Sequence, residues 1–375
     1  MERRRRVAVL FGGRSSEHEI SCLSARSVID ALDPATTEVV PIGIARDGRW
    51  HILSGPPALP SETGRMPEIG ADDGSIARIA GDDGRPALVL ADGSRRDVDV
   101  VFPVLHGPRG EDGAIQGLLE LAGVPYVGAG VLGSALGMDK AVQKVLWVAE
   151  GLPVVPHVVV REPEWRDDPD GVIARALSLG LPLFTKPASL GSSVGISKAT
   201  DEEQLVAGVE RALGFERKVV VEQGIEHARE IECAVLGNDD PVASVCGEVV
   251  PKGHAFYDYD AKYLDEHGAE LLIPAPIAPD LAARIQQLAV AAYTAAWCAG
   301  MARVDFFIRD DDVWINEINT IPGFTSISMY PKLWAASGVP YDELVQRLLD
   351  LAVERFDAER GKQVGVPELH TGADA

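Results

Sequence analysis

The stretch from Arg303 to Gly323, RVDFFIRDDDVWINEINTIPG, constrains this chain more than any other. Two apolar runs, Val304-Asp305-Phe306-Phe307-Ile308 and Val313-Trp314-Ile315, flank the acidic turn Arg309-Asp310-Asp311-Asp312, the pattern of a β-hairpin. Side chains alternate along a strand, so Glu317 and Asn319 share a face. A five-residue loop sets Asp305 opposite Glu317; a four-residue loop puts the two on opposite faces. Asp and Asn are poor strand formers, yet here they stand among Val, Phe, Trp and Ile. Two carboxylates and an amide oxygen on one face are hard oxygen donors, the kind Mg²⁺ takes alongside water and phosphate. A solvated strand face is the plainer alternative.

At 375 residues the chain has room for two or three domains, and 46% hydrophobic with 25% charged residues marks it as globular. A formal charge of −22 speaks against a nucleic-acid partner, because little basic surface exists to displace counterions from phosphates. The run Arg3-Arg4-Arg5-Arg6 precedes only five apolar residues before Gly12-Gly13, too few for a signal peptide, and no window suggests a membrane span. Cys22, Cys233, Cys246 and Cys298 lack metal-binding spacing and sit among apolar residues, as reduced core thiols of a cytoplasmic protein do.

Val7 to Phe11 reads as a buried strand entering Gly12-Gly13-Arg14-Ser15-Ser16-Glu17. A helix follows, with Ser16 and Glu19 as a capping box. The order is that of a dinucleotide-binding fold, but GGRSSE is not GxGxxG, and no Walker-type phosphate loop occurs. Glu17 at the helix start either complements the helix dipole or counters a substrate ammonium. Residues 55–97, rich in Gly, Pro and Asp, are expected to form a variable edge hairpin. Val98 to Leu105 is a strand opening into His106-Gly107-Pro108-Arg109-Gly110-Glu111, where open α/β sheets bind ligands; a lone His is more often structural. Asp112 is expected to cap the next helix.

Gly123 to Gly128 reads as a domain boundary. Lys140 stands in the first turn of the helix Asp139 to Glu150, against the helix dipole, which marks it for a function. Lys186 ends a strand before a Gly/Ser loop, combining a point charge with free N–H groups as a phosphate lid does; a flexible surface loop is the alternative. Thr200 and Glu203 form a second capping box. Val219 to Ile225 is a strand ending in an acid and a glycine, and Ala228 to Gly237 is another strand. Pro251 to Tyr263 is dense in aromatics yet too polar for a core, hence a long functional loop. Helices from Leu281 to Ala299, capped by Asp280, and from Leu344 to Phe356 complete the chain.

The lysine before a lid, the acid-ended strand and the carboxylate–amide hairpin together resemble an ATP-grasp enzyme. Within that superfamily the chain resembles the D-alanine–D-alanine ligase family over essentially its whole length. The strings that carry the resemblance are GGRSSEHEIS, LHGPRGEDG, KPASLGSSVGISK, EQGIEHAREIECAVLGN, FYDYDAKY and NEINTIPGFTSISMYP, in order. The resemblance implies an α/β fold, α+β in its C-terminal half. Residues 1–128 would form a Rossmann-like parallel-sheet domain, 129–221 a central ATP-grasp subdomain with the lid, and 222–375 a C-terminal subdomain with the metal site. ATP would lie between two antiparallel sheets.

The implied reaction is ligation of two D-alanines through an acyl phosphate, releasing ADP and phosphate, for peptidoglycan precursors. Lys140, Lys186 and Lys262 match phosphate-binding lysines. Glu222 and the backbone of Ile225 match adenine contacts, Glu230 a ribose contact, and Ser193, Phe256 and Phe307 complete the nucleotide site. Asp305, Glu317 and Asn319 match the ligands of two Mg²⁺ ions, for which Mn²⁺ substitutes. Arg303 and the N–H of Gly323 match oxyanion-binding groups; Glu17 and His106 lie at the first substrate, Ser328 at the second. Ser192, Tyr263 and Glu17 resemble a hydrogen-bonded set that ties the loops together. Ala261-Lys262-Tyr263 follows the dipeptide-forming pattern, and a homodimer is the family habit. A D-alanine–D-lactate or D-alanine–D-serine ligase is the nearest rival; a non-catalytic ATP-binding regulator is a remoter one. A Rossmann dehydrogenase lacks its glycine pattern here.

Overall fold

The computed structural model describes residues 3–60, 66–70, 75–82, 85–251 and 269–362. Phe256, Lys262 and Tyr263, and the aromatic loop around them, lie outside the described residues.

Strand β1 (Arg5–Gly12) is apolar from Val7 to Phe11 and buried on both faces. It runs parallel to β2 (Thr37–Ile44) on one side and to β7 (Val100–Pro103) on the other. A continuous apolar run specifies this position, since both faces of a parallel strand meet packed layers. Beyond β2 the sheet continues antiparallel through β3 (Trp50–Ile52), β4 (Ser75–Asp82), β5 (Arg85–Leu90) and β6 (Arg95–Asp97). The stretch 55–97 therefore supplies the expected edge hairpin. Gly12 leaves β1 at φ +85°, and a Cβ there would lie 2.5 Å from the Ile44 carbonyl oxygen, so only glycine can make this turn.

Four strands, β8 (His157–Arg161), β9 (Leu183–Pro187), β10 (Ser197–Ala199) and β11 (Lys218–Gln223), form an antiparallel sheet in the order β10-β9-β11-β8. Val160, Leu183, Val219 and Val221 pack on one face with apolar residues of the helices Pro169–Leu177 and Glu202–Leu213. Alternation turns Lys186 and Glu222 to the other face. A second antiparallel sheet joins β12 (Arg229–Gly237), β13 (Val242–Pro251), β14 (Ala269–Leu272), β15 (Gly300–Arg309) and β16 (Asp312–Asn319), in the order β14-β13-β12-β15-β16. Ile231, Val304, Phe306, Ile315 and Ile318 form its apolar face against the helix Pro279–Ala295 and Trp147. Glu230, Glu232, Arg303, Asp305, Phe307, Glu317 and Asn319 fall on the opposite face.

The hairpin settles its register in an unexpected way. Its turn is only two residues, Asp310-Asp311, between the paired Arg309 and Asp312. Continued regularly, that turn would pair Asp305 with Asn316. A β-bulge instead leaves Asn316 as the extra residue, so Asp305 faces Glu317 and Arg303 faces Asn319.

The predicted helix starts need correction. Ser16 and Glu19 form no box: Ser15 Oγ takes the Glu17 N–H, and Arg46 draws off Glu19. The cap of Glu202–Leu213 is Asp201, which accepts from the Gln204 N–H, one residue after Thr200. Asp280 lies inside the first turn of Pro279–Ala295 rather than at its cap, and that helix stops at Ala295, before Trp297 takes φ +53°. Asp112 does accept from the Ala114 N–H, although Gly113 is the cap residue. All four cysteines are buried and free.

One core joins the two ends of the chain. Val9, Phe11 and Phe102 of the first sheet belong with Phe324 and with Leu344, Leu348 and Leu349 of the last helix, Tyr341–Arg360. Leu348→Ala is expected to lower the unfolding free energy by about 2–5 kcal/mol, read by urea denaturation. An unchanged midpoint would contradict this shared packing.

Candidate functional site

The helix Lys140–Ala149 is turned inside out. Asp139 caps it, accepting from the Ala141 and Val142 N–H groups, and Lys140, Gln143, Lys144 and Trp147 are buried. Its valines point outward, Val145 and Val148 at 62% and 57% exposure. The buried polar face lies along β16, the edge strand of the second antiparallel sheet. Gln143 Oε1 accepts from the Ile318 N–H at 3.3 Å, and the Pro153 carbonyl accepts from the Ile315 N–H at 2.8 Å.

Three lysines and two glutamates meet there. Lys140 Nζ stands 3.1 Å from Glu317 Oε2 and donates to the Leu190 carbonyl of the lid at 2.9 Å. Lys186 Nζ lies 2.8 Å from Glu222 Oε2, donates to Asn316 Oδ1 at 3.2 Å, and stands 5.9 Å above the Phe307 ring. Lys144, with no exposed surface, reaches Glu222 Oε1 at 3.0 Å and the Asn316 carbonyl at 3.3 Å. Burial pushes the Glu222 carboxyl up, but Lys144 and Lys186 outweigh it and hold it at about 2. Burial draws the Lys144 ammonium down, against the pull of Glu222. For Lys140 burial also acts downward, but Glu317 prevails and raises it.

On the same sheet face, Glu232, Asp305 and Glu317 stand in one row across β12, β15 and β16. Arg303 grips both oxygens of Asp305 at 2.7 Å and stands 2.9 Å from Glu232 Oε2. Asn319 Nδ2 donates to Asp305 Oδ2 at 3.0 Å. Among the described residues no three His, Cys, Asp or Glu side chains cluster tightly enough to hold a metal. The donor set nevertheless fits a hard cation: two carboxylates face each other in register, an amide shares their face, and Lys140 stands where positive charge is called for.

The substrate end is built from loops. Ser192, left-handed at φ 51° and followed by Ser193 at φ 58°, donates to Glu17 Oε1 and so ties the lid to the first sheet. Such consecutive strained residues cluster at functional loops. His106 Nδ1 donates to the Ile321 carbonyl at 3.2 Å, which leaves Nε2 to accept from Ser24 Oγ, also at 3.2 Å. Burial lowers the His106 pKa, against the charge of Glu17, consistent with this neutral tautomer. Glu111, which accepts from the Gly107 N–H, is raised to about 8 by burial and then by the charge of Glu17. Ser24 Oγ also takes the Phe324 N–H at 3.4 Å, next to Gly323, and Ser328, the residue before the helix Met329–Ala336, accepts from the Thr325 N–H at 3.2 Å with its Oγ close to Gly323.

Glu17, His106, Lys140, Lys186, Ser192, Glu222, Arg303, Asp305, Glu317 and Asn319 thus converge on one region. Ile225 follows β11, and Glu230 pairs with Phe307 across the sheet. Lys144, Glu232 and Asn316 were not singled out from the sequence. Lys144 had a signal: it lies one turn after Lys140, so both fall on one helix face.

The D-ala D-ala ligase N-terminus model matches residues 6–129 and the D-ala D-ala ligase C-terminus model residues 146–350. A D-alanine--D-alanine ligase of Heliobacterium modesticaldum is 49% identical over 97% of this chain and 99% of its own. The solved D-alanine-D-alanine ligase of Coxiella burnetii superposes with a TM-score of 0.82 at 38% identity, over 95% of this chain and 96% of its own. The VanG D-Ala:D-Ser ligase of Enterococcus faecalis also gives 0.82, at 34% identity over 93% and 100%.

The Glu222 pair makes stability depend on acid. Its contribution is fully present above the ordinary carboxyl value of 4.5 and is lost as pH falls through about 2. Glu222→Gln is expected to start about 3 kcal/mol lower at neutral pH and to lack that fall. Urea midpoints measured from pH 7 downward check both; parallel curves would contradict the assignment.

Proposed function

The chain belongs to the D-alanine–D-alanine ligase family, and from that premise we propose how its residues divide the work of joining two D-alanines. The enzyme is an ADP-forming ligase of peptidoglycan synthesis. One observation carries the residue assignment: Arg303, Asp305, Glu317 and Asn319 share a hairpin face that Lys140 and Lys186 reach from other elements.

The carboxylate of the first D-alanine attacks the γ-phosphate of ATP, ADP leaves, and an acyl phosphate forms. The amine of the second D-alanine then attacks the acyl carbon, and phosphate departs from the tetrahedral intermediate. Both steps spread negative charge over oxygens, which preorganised cations and N–H groups stabilise. Lys140, Lys186 and Lys262 hold phosphate oxygens. Glu222 and the Ile225 backbone receive adenine, Glu230 the ribose, and Ser193, Phe256 and Phe307 line the nucleotide. Arg303 and the Gly323 N–H face the developing oxyanion. Glu17, beside neutral His106, binds the first ammonium, and Ser328 the second carboxylate. Ser192 and Tyr263 join Glu17 in closing the loops, which keeps water from the acyl phosphate. Asp305, Glu317 and Asn319 would hold two Mg²⁺ ions, with Mn²⁺ accepted in their place; bound there, the ions would offset phosphate charge.

The three sheets support a division near 128/129 and 221/222, with β11 running on to Gln223. We read the protein as cytoplasmic; no helix among the described residues is long and apolar enough to cross a membrane. We read it also as a homodimer, supported by exposed apolar side chains on three successive helices: Leu121 (90%), Leu132 (55%) and Val145 (62%).

D-alanyl-D-serine formation is the second reading, favoured by the equal TM-score of the serine-forming relative. Mg²⁺-dependent phosphate release with D-alanine alone, then with D-serine or D-lactate added, separates the two. Release and dipeptide with D-alanine alone is expected; release only on adding another acceptor would overturn the choice. Glu317→Gln is expected to lose about a hundred-fold or more in kcat while keeping its urea midpoint. Near-normal turnover would remove Glu317 from the metal site.

A further inference from the structure

The register of the hairpin depends on one extra residue, and a regular ladder does not hold that residue. A bulged residue drops out of strand pairing, so its polar groups need other partners or bear the cost of burial. Asn316 finds them in two lysines: Lys144 donates to its carbonyl at 3.3 Å and Lys186 to its Oδ1 at 3.2 Å. Glu222 stands between the same two ammonium groups, at 3.0 and 2.8 Å. Lys144, Glu222, Lys186 and Asn316 therefore close a ring that spans a helix, the four-stranded sheet and the hairpin. Without the bulge, Glu317 would slip by one position, and a slip of one turns a side chain to the other face. On the sheet's other face lies the apolar core of Phe306, Ile315 and Ile318.

We propose that Lys144 is a positioning residue for the ligase reaction: by holding the Asn316 carbonyl it locks the bulge that sets Glu317 and Asn319 opposite Asp305 and Arg303. The inference rests on the metal reading of that face given above. It assigns Lys144 no contact with substrate. Its neighbour Gln143 strengthens the same clamp by bonding the Ile318 N–H on the far side of Glu317.

The test is Mn²⁺ binding, followed by the electron paramagnetic resonance of the free ion, with ADP at saturation. It needs no turnover, so it stands apart from the activity assay. Lys144→Met is expected to weaken Mn²⁺ by roughly 10–100-fold, the usual loss on removing an outer support of a metal site. KM for D-alanine should move far less than the Mn²⁺ affinity. Because Lys144→Met leaves Glu222 short of a cation and could unfold, a second comparison uses Glu222→Gln against Lys144→Met/Glu222→Gln. Glu222 itself faces the nucleotide, so these two variants are compared with each other: the double is expected to bind Mn²⁺ roughly 10–100-fold more weakly than the single. Equal Mn²⁺ affinity in those two, or a Lys144→Met protein that loses only stability, overturns the proposal.

Discussion

No member of the charged set at the meeting of the two antiparallel sheets could be buried alone. Lys144 has no exposed surface, and Glu222 only 2%; either without a partner would shed its charge or open the fold. Paired, they fix one strand from each sheet and one helix relative to the others. The remaining cations are then held on bonds that substrates can replace. Lys140 rests on Glu317, Lys186 on Glu222 and Asn316, and Arg303 on Asp305 and Glu232. Each rests on a carboxylate, so positive charge is concentrated for phosphate without being left bare in its absence.

Arg303 illustrates why a third acid is useful. Burial works against its charge, and Asp305 and Glu232 more than restore it. If Asp305 turns toward a metal, Glu232 remains on the guanidinium. The row Glu232–Asp305–Glu317 thus separates two tasks that a single carboxylate could not perform together.

Much of this was legible in the sequence. The apolar run Val7–Phe11 specified a doubly buried strand, and the alternation around Asp305, Glu317 and Asn319 specified one polar face. What the sequence left open was the register, because four-residue and five-residue loops place Asp305 on different faces relative to Glu317; a two-residue turn plus a bulge reaches the five-residue pairing. Nothing local marks Asn316 as the extra residue; its lysine partners come from residues more than a hundred positions away. The helix starts failed for a related reason: Arg46 engages the Glu19 carboxylate, and Asp201 takes the cap that spacing alone gave to Thr200. Lys144 was passed over because a lysine on a helix is normally a surface residue, whereas this helix exposes its valines.

The core shared by the first sheet and the last helix bears on how the protein is made. Leu344, Leu348 and Leu349, which complete the packing of Val9 and Phe11, are synthesised more than three hundred residues after them. Cys22, Ala25 and Val28 of the helix His18–Ala31 cover part of that sheet face, and the rest waits for the helix Tyr341–Arg360. The first sheet therefore completes its core only once that helix is made, which couples the folding of two segments far apart in sequence.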